Sequence, residues 1–151
     1  MVEIKENQVL EVDNLLSFRG KVKQCLIEQI GKDMEEHIKQ AGGKIIGYPI
    51  TATYSVNNDI IDVELLIPVD KKISEIKKYV FKEKLKIVNA VVAKHEGNIS
   101  NLQATCNELS NYIEQRKFTP LTVGYNVTRI DQVGNLRSII YIYVGVNGNI
   151  T

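Results

Sequence analysis

Asp62-Val63-Glu64-Leu65-Leu66-Ile67-Pro68-Val69 decides the fold, because its pattern returns at Ile139-Ile140-Tyr141-Ile142-Tyr143-Val144-Gly145-Val146. Two further landmarks recur at the same offset of 77 residues: Gly47-Tyr48 as Gly124-Tyr125, and Asn57-Asn58 as Gly134-Asn135. Three landmarks at one spacing mark two copies of one supersecondary unit. A solenoid needs about three copies, so a pseudo-symmetric pair within one domain is expected.

Working outward, each copy shows the same order of periodicities. An extended stretch comes first, Val9 to Phe18 in one half and Lys86 to Ala93 in the other. A one-sided helical stripe follows, Leu26, Ile30, Met34 and Ile38, then Ile99, Leu102, Cys106, Leu109 and Ile113. Gly42-Gly43 suits the end of the first helix, and Asn98 suits the N-cap of the second. Two strands close each half: Ile45 to Val56 and Ile60 to Val69, then Leu121 to Ile130 and Leu136 to Val146. Their turns, Asn57-Asn58-Asp59 and Gly134-Asn135, carry residues that tolerate positive φ. The expected fold is α+β: two strand–helix–strand–strand repeats forming an antiparallel sheet with two long helices on one face. The repeats run from about 8 to 70 and about 85 to 146, within a single domain 1–151. The lysine-rich connector between them, about 71–84, reads as a solvated crossover.

Side chains alternate across a strand, so parity assigns faces. Ile61, Val63, Leu65 and Ile67 should meet the first helix, and Ile140, Ile142 and Val144 the second. The opposite, helix-free faces then carry Asp62, Glu64 and Leu66, and Ile139, Tyr141 and Tyr143. A glutamate among aromatic and apolar groups has a raised cost of ionisation, which a cationic or hydrogen-bonding ligand offsets. Tyrosine faces add a cation–π attraction of about 0.5–2 kcal/mol. Glu64, Leu66, Ile139, Tyr141 and Tyr143 are therefore the candidate ligand-binding residues. The alternative reading is an open sheet face with Glu64 in water and the tyrosines as ordinary cross-strand pairs.

Composition narrows the classes. Of 151 residues, 44% are hydrophobic and 25% charged, which suits one globular domain and excludes a disordered chain. Lys+Arg 19 against Asp+Glu 18 leaves a net charge of +1, not the basic footprint of a nucleic-acid binder. No apolar run approaches the ~18 residues that span a bilayer, and no leader pattern opens the chain. A cytoplasmic protein with no nucleic acid or membrane partner is expected. Cys25 and Cys106 do not make a disulfide framework; both fall in helical patterns as small buried hydrophobes. His37 and His95 have no short ligand spacing to either cysteine, so no metal is assigned. His95 reads as a histidine bonding backbone at a strand end. No phosphate-loop, dinucleotide or nucleophile-elbow motif occurs.

The second half carries Val91-Val92-Ala93-Lys94-His95-Glu96-Gly97 ahead of Leu102 to Leu109 and Tyr112-Ile113. The first half closes on Glu64-Leu65-Leu66-Ile67-Pro68-Val69. These residues resemble the gyrase-inhibitor-like (GyrI-like) effector-binding superfamily, which is related to the SOUL haem-binding family, and its stand-alone bacterial members. The resemblance implies a tandem-repeat fold and a small-molecule cleft. In that family the ligand-contacting glutamate lies on the last strand of the second half, where this chain has Tyr141; the acid stands at Glu64 instead. Gly145 replaces the second-half proline, and tryptophan is absent. About eight residues precede the first expected strand, which leaves no room here for a DNA-binding helix-turn-helix.

The functional expectation is a non-catalytic protein whose cleft binds a small amphipathic or cationic molecule, with no cofactor and no catalytic residues. A protein-interaction adaptor that has lost its ligand is the second reading. The third is a small hydrolase with Glu64 as general base and Tyr141 or Tyr143 beside it.

Overall fold

A computed structural model describes residues 2–131 and 137–147. Its elements are β1 (Glu3–Lys23), α1 (Ile27–Gln40), β2 (Ile50–Asn57), β3 (Ile60–Pro68), β4 (Tyr79–Glu96), α2 (Leu102–Gln115), β5 (Thr119–Pro120), β6 (Tyr125–Asp131) and β7 (Arg137–Asn147). The chain is α+β, with antiparallel strands and two helices, as the repeat reading expects. It divides into two compact units. One is Glu11–Lys86; the other joins the residues up to Leu10 to those from Ile87 onward. The long strands β1 and β4 therefore each contribute to both units.

In the Glu11–Lys86 unit the strand order is β4-β1-β3-β2. β3 pairs antiparallel with β1, Arg19 opposite Glu64, and with β2, Ala52 opposite Glu64. Ile61, Val63, Leu65 and Ile67 pack with Leu16, Met34 and Ile38 in one apolar cluster, on the face that parity assigns to α1. Met34 and Ile38 are fully buried, and each contributes about 1.5–3 kcal/mol of apolar transfer. Helix α1 ends at Gln40, and Gly42 just beyond it has a φ of +80°. The Gly43 N–H then bonds the Ile38 carbonyl at 2.9 Å, returning the chain under the helix. The β2–β3 turn places Asn58 at φ 57°, the conformation for which its side chain is tolerated.

The second unit repeats this topology. β7 pairs antiparallel with β4, Lys94 opposite Tyr141, and with β6, Val127 opposite Tyr141. Val91, Ala93, Ile140, Ile142 and Val146 pack with Leu109 and Ile113 of α2. Lys117, at φ 59°, closes α2, and the Phe118 N–H bonds the Ile113 carbonyl at 3.1 Å. One further device is duplicated. Asn14 in β1 and Asn89 in β4 both sit at positive φ, 55° and 54°, inside a strand. The Asn14 carbonyl accepts the Val69 N–H at 2.8 Å, and the Asn89 amide donates to the Val146 carbonyl at 3.0 Å. Each asparagine thus ties the first strand of its unit to the end of the last one.

Several expectations are corrected. β1 starts at Glu3, well before Val9. β4 starts at Tyr79, so the second half of the lysine-rich stretch is strand and not solvated crossover. β2 starts at Ile50; Ile45 makes only a single bridge to Val69, and the Ile46 N–H bonds the Pro68 carbonyl at 3.1 Å. Cys25 and Leu26 lie in a 3₁₀ turn, Gln24–Leu26, and both are exposed, so the α1 stripe begins at Ile27 and Ile30. The Asn98 side chain caps the short turn before α2, accepting the Ser100 N–H at 3.0 Å, rather than α2 itself. The expected turn at Gly134-Asn135 lies outside the described residues.

Candidate functional site

In the Glu11–Lys86 unit the helix-free face is read from the register. Its rows are Ser17–Leu66–Ile50 and Arg19–Glu64–Ala52. Glu64 is 3% exposed, although it faces away from α1. Three donors converge on its carboxylate. Ser17 Oγ donates to Oε2 at 2.6 Å, Lys82 Nζ to Oε2 at 2.6 Å, and the Tyr54 hydroxyl to Oε1 at 3.2 Å. Burial pushes the Glu64 carboxyl up, but the bonds from Lys82, Ser17 and Tyr54 outweigh it and hold the group below its ordinary value. Glu64 is thus a buried, ionised carboxylate with its charge offset from within the chain.

Tyr54 reaches Glu64 because β2 carries an irregularity there. Thr53 pairs with Val63 and Ser55 with Asp62, which leaves Tyr54 as the extra residue. A bulge of this kind re-aims a side chain. The corresponding strand of the other unit, β6, keeps one unbroken register from Tyr125 to Asp131. The Arg19 guanidinium lies 3.5 Å from the Tyr54 ring centroid and pairs with Asp62 at 3.2 Å. Lys82 is the half-exposed member of the cluster, its side chain 43% exposed against 4% for Glu64.

In the second unit the helix-free rows are Val92–Tyr143–Tyr125, Lys94–Tyr141–Val127 and Glu96–Ile139–Arg129. Tyr141 and Tyr143 line a pocket of 240 Å³ together with Glu3, Lys5, Val92 and Lys94. Ile139 is half-buried on the same strand face and is not part of that lining. The Arg129 guanidinium sits 5.1 Å from the Tyr141 ring centroid. Lys94 bonds Glu96 at 2.8 Å, and this contact raises its ammonium above the ordinary value.

A larger pocket of 540 Å³ in the same unit has polar walls, including Glu3, Glu96, Glu108 and the His95–Thr105 pair. His95 is buried on the helix side. Its Nε2 lies 3.0 Å from the Asn98 carbonyl, which can only accept, so Nε2 carries the proton. Nδ1 then accepts from the Thr105 hydroxyl at 2.6 Å. This is the backbone-bonding histidine that the sequence suggested, with a threonine added.

Of the five candidate residues, the structure brings Tyr141 and Tyr143 together in one pocket. It sets Leu66, fully buried, beside Glu64 on β3. The residues that sequence reasoning missed are Lys82, Ser17 and Tyr54. Ser17 had a signal, since parity along β1 puts it on the face of Glu64; Lys82 and Tyr54 had none.

No protein-family model and no curated protein matches the chain. Solved structures do. EcmrR in a DNA complex is similar at 17% identity and a TM-score of 0.72, covering 96% of this chain and 57% of that one. The EcmrR C-terminal domain alone is similar at 14% identity and a TM-score of 0.74, over 97% of this chain and 98% of the domain. A hydrolase from Listeria innocua follows at 9% identity and 0.60, over 97% and 91%. SAV2435 bound to tetraphenylphosphonium is similar at 11% identity and 0.52, over 98% and 94%. The fold is shared with these proteins; this chain spans little more than half of EcmrR.

Proposed function

We propose that the chain is a non-catalytic small-molecule-binding protein of the effector-binding kind. The observation that carries this reading is the Glu64 cluster: a buried carboxylate on a helix-free strand face, met by donors from three strands. Folding does not require an ion pair there, since a hydrophobic residue of similar size costs less to bury. A cationic or hydrogen-bonding ligand competes with Lys82 Nζ for Oε2, and the half-exposed lysine swings into water when displaced. SAV2435, which shares the fold, is bound to a lipophilic cation, tetraphenylphosphonium. Leu66 is the fully buried apolar neighbour of Glu64 in this unit; Ile139, Tyr141 and Tyr143 supply apolar and aromatic contact in theirs. A carboxylate held below its ordinary value by three donors is a weak base, which favours binding over the hydrolase reading.

A thermal-shift screen of lipophilic cations, starting with tetraphenylphosphonium, and of metabolites tests this, because a ligand of the folded state raises its melting temperature. The wild-type protein is expected to shift. For a cationic ligand the shift grows in Lys82→Met, which frees the carboxylate, and is lost in Glu64→Gln. Equal shifts in all three proteins remove Glu64 from the account, and no shift with any compound overturns the reading.

A further inference from the structure

We propose that the 240 Å³ pocket at Tyr141 and Tyr143 takes a small planar anion, an aromatic carboxylate about one ring across, with Lys5 as its charge partner. The proposal rests on the small-molecule reading above and reverses the charge expected at the tyrosines. Pockets for drug-sized ligands run from about 300 Å³ upward, so this one suits a smaller molecule. Its apolar wall is Tyr141, Tyr143 and Val92, neighbours in the rows of one strand face.

The charges around that wall decide the sign. Tyr141 has the Arg129 guanidinium 5.1 Å from its ring centroid and Lys94 as its cross-strand partner. The cation–π position is therefore held by the chain's own arginine, and a cationic ligand would enter beside like charges. Lys94 is committed to Glu96 at 2.8 Å, with Glu3 also near enough to act on it. Lys5 lines the pocket and has no ion-pair partner among the described residues. Lys94 and Glu96 offset one another, Glu3 lies close enough to act on Lys94, and Arg129 sits over the Tyr141 ring, so Lys5 is the lining ammonium that no ion pair holds among the described residues. A carboxylate at Lys5 with its ring against Tyr141 and Tyr143 satisfies both features.

Three probes of one shape and different charge test this: benzoate, benzamide and benzamidine, each titrated into the full chain with its tyrosine rings followed by NMR. Benzoate is expected to bind most tightly and benzamidine least, with shifts at Tyr141 and Tyr143. Lys5→Gln should weaken benzoate about two- to fivefold, the upper part of the range for an exposed ion pair, and leave benzamide unchanged. Lys5 is exposed, so this variant keeps the fold. Benzamidine binding at these rings as tightly as benzoate overturns the proposal, as does a benzoate affinity that ignores Lys5→Gln. Silence at both rings with all three probes overturns it too. None of these results touches the small-molecule reading, which stands or falls on the screen and on Glu64→Gln.

Discussion

Replacing Lys82 by methionine removes the only basic group bonded to Glu64 among the described residues and leaves the carboxylate buried with Ser17 and Tyr54. Breaking an enclosed ion pair costs about 3–5 kcal/mol. Here the Lys82 side chain is 43% exposed and water screens the attraction, and two hydrogen bonds remain. The expected loss is therefore about 1–2 kcal/mol at neutral pH. For a chain of this size that lowers the melting temperature by about 2–8 °C. The pH dependence is more diagnostic than the size. In the wild-type protein the Glu64 carboxyl is held below its ordinary value, so the folded state binds fewer protons than the unfolded one. The resulting stability is complete above the unfolded carboxyl value of about 4.3, and is lost as pH falls through the folded value. Without Lys82 two of the causes that lower the carboxyl are gone while burial still raises it, so the variant loses less stability than the wild type as pH falls. Urea melts of both proteins at pH 7.5 and pH 4 should show a penalty that shrinks at the lower pH. An equal penalty at both values, or none at either, refutes the argument that Lys82 neutralises a buried charge.

Three further outcomes are expected. Met34→Ala opens a cavity in the cluster under α1, where Met34 is fully buried, and should cost about 2–5 kcal/mol in denaturant unfolding. Asn89→Ala keeps the strained φ of 54° and loses the bond to Val146, whereas Asn89→Gly relieves the strain; the alanine variant should be less stable by about 1 kcal/mol. Gly43→Ala would set its Cβ 2.4 Å from Ile73 Cδ1 and 3.2 Å from Ile38 Cγ2, and a thermal melt should show a loss of about 1–3 kcal/mol.

Much of the fold was legible because β3 and β7 obey strict alternation. Ile61, Val63, Leu65 and Ile67, and Ile140, Ile142 and Val144, lie on the helix side that parity assigned. The repeat was visible in its turns and last strands, but its other half was not. Asn14 and Asn89 hold corresponding places, yet asparagine inside a strand reads as a defect until the positive φ and the tie to Val69 or Val146 are seen. The extent of β4 was hidden because lysines at exposed strand positions look like solvated loop. That same composition concealed Lys82, whose role depends on a strand pairing and not on any local pattern. Tyr54 was illegible for a related reason: a one-residue irregularity in β2 flips which side chains share a face with Glu64. The sequence reading gave Glu64 either a ligand or water; in the structure the carboxylate is buried and Lys82, Ser17 and Tyr54 of the chain itself meet it.

The most direct test of the small-molecule account is NMR mapping of the tightest compound from the screen onto a chain with labelled isoleucine and leucine methyls and tyrosine rings. The account predicts shifts on the helix-free strand faces, at Tyr54 and Leu66 or at Ile139, Tyr141 and Tyr143. Shifts confined to the helix-packed residues, such as Leu65, Ile67, Ile140 and Ile142, would contradict it.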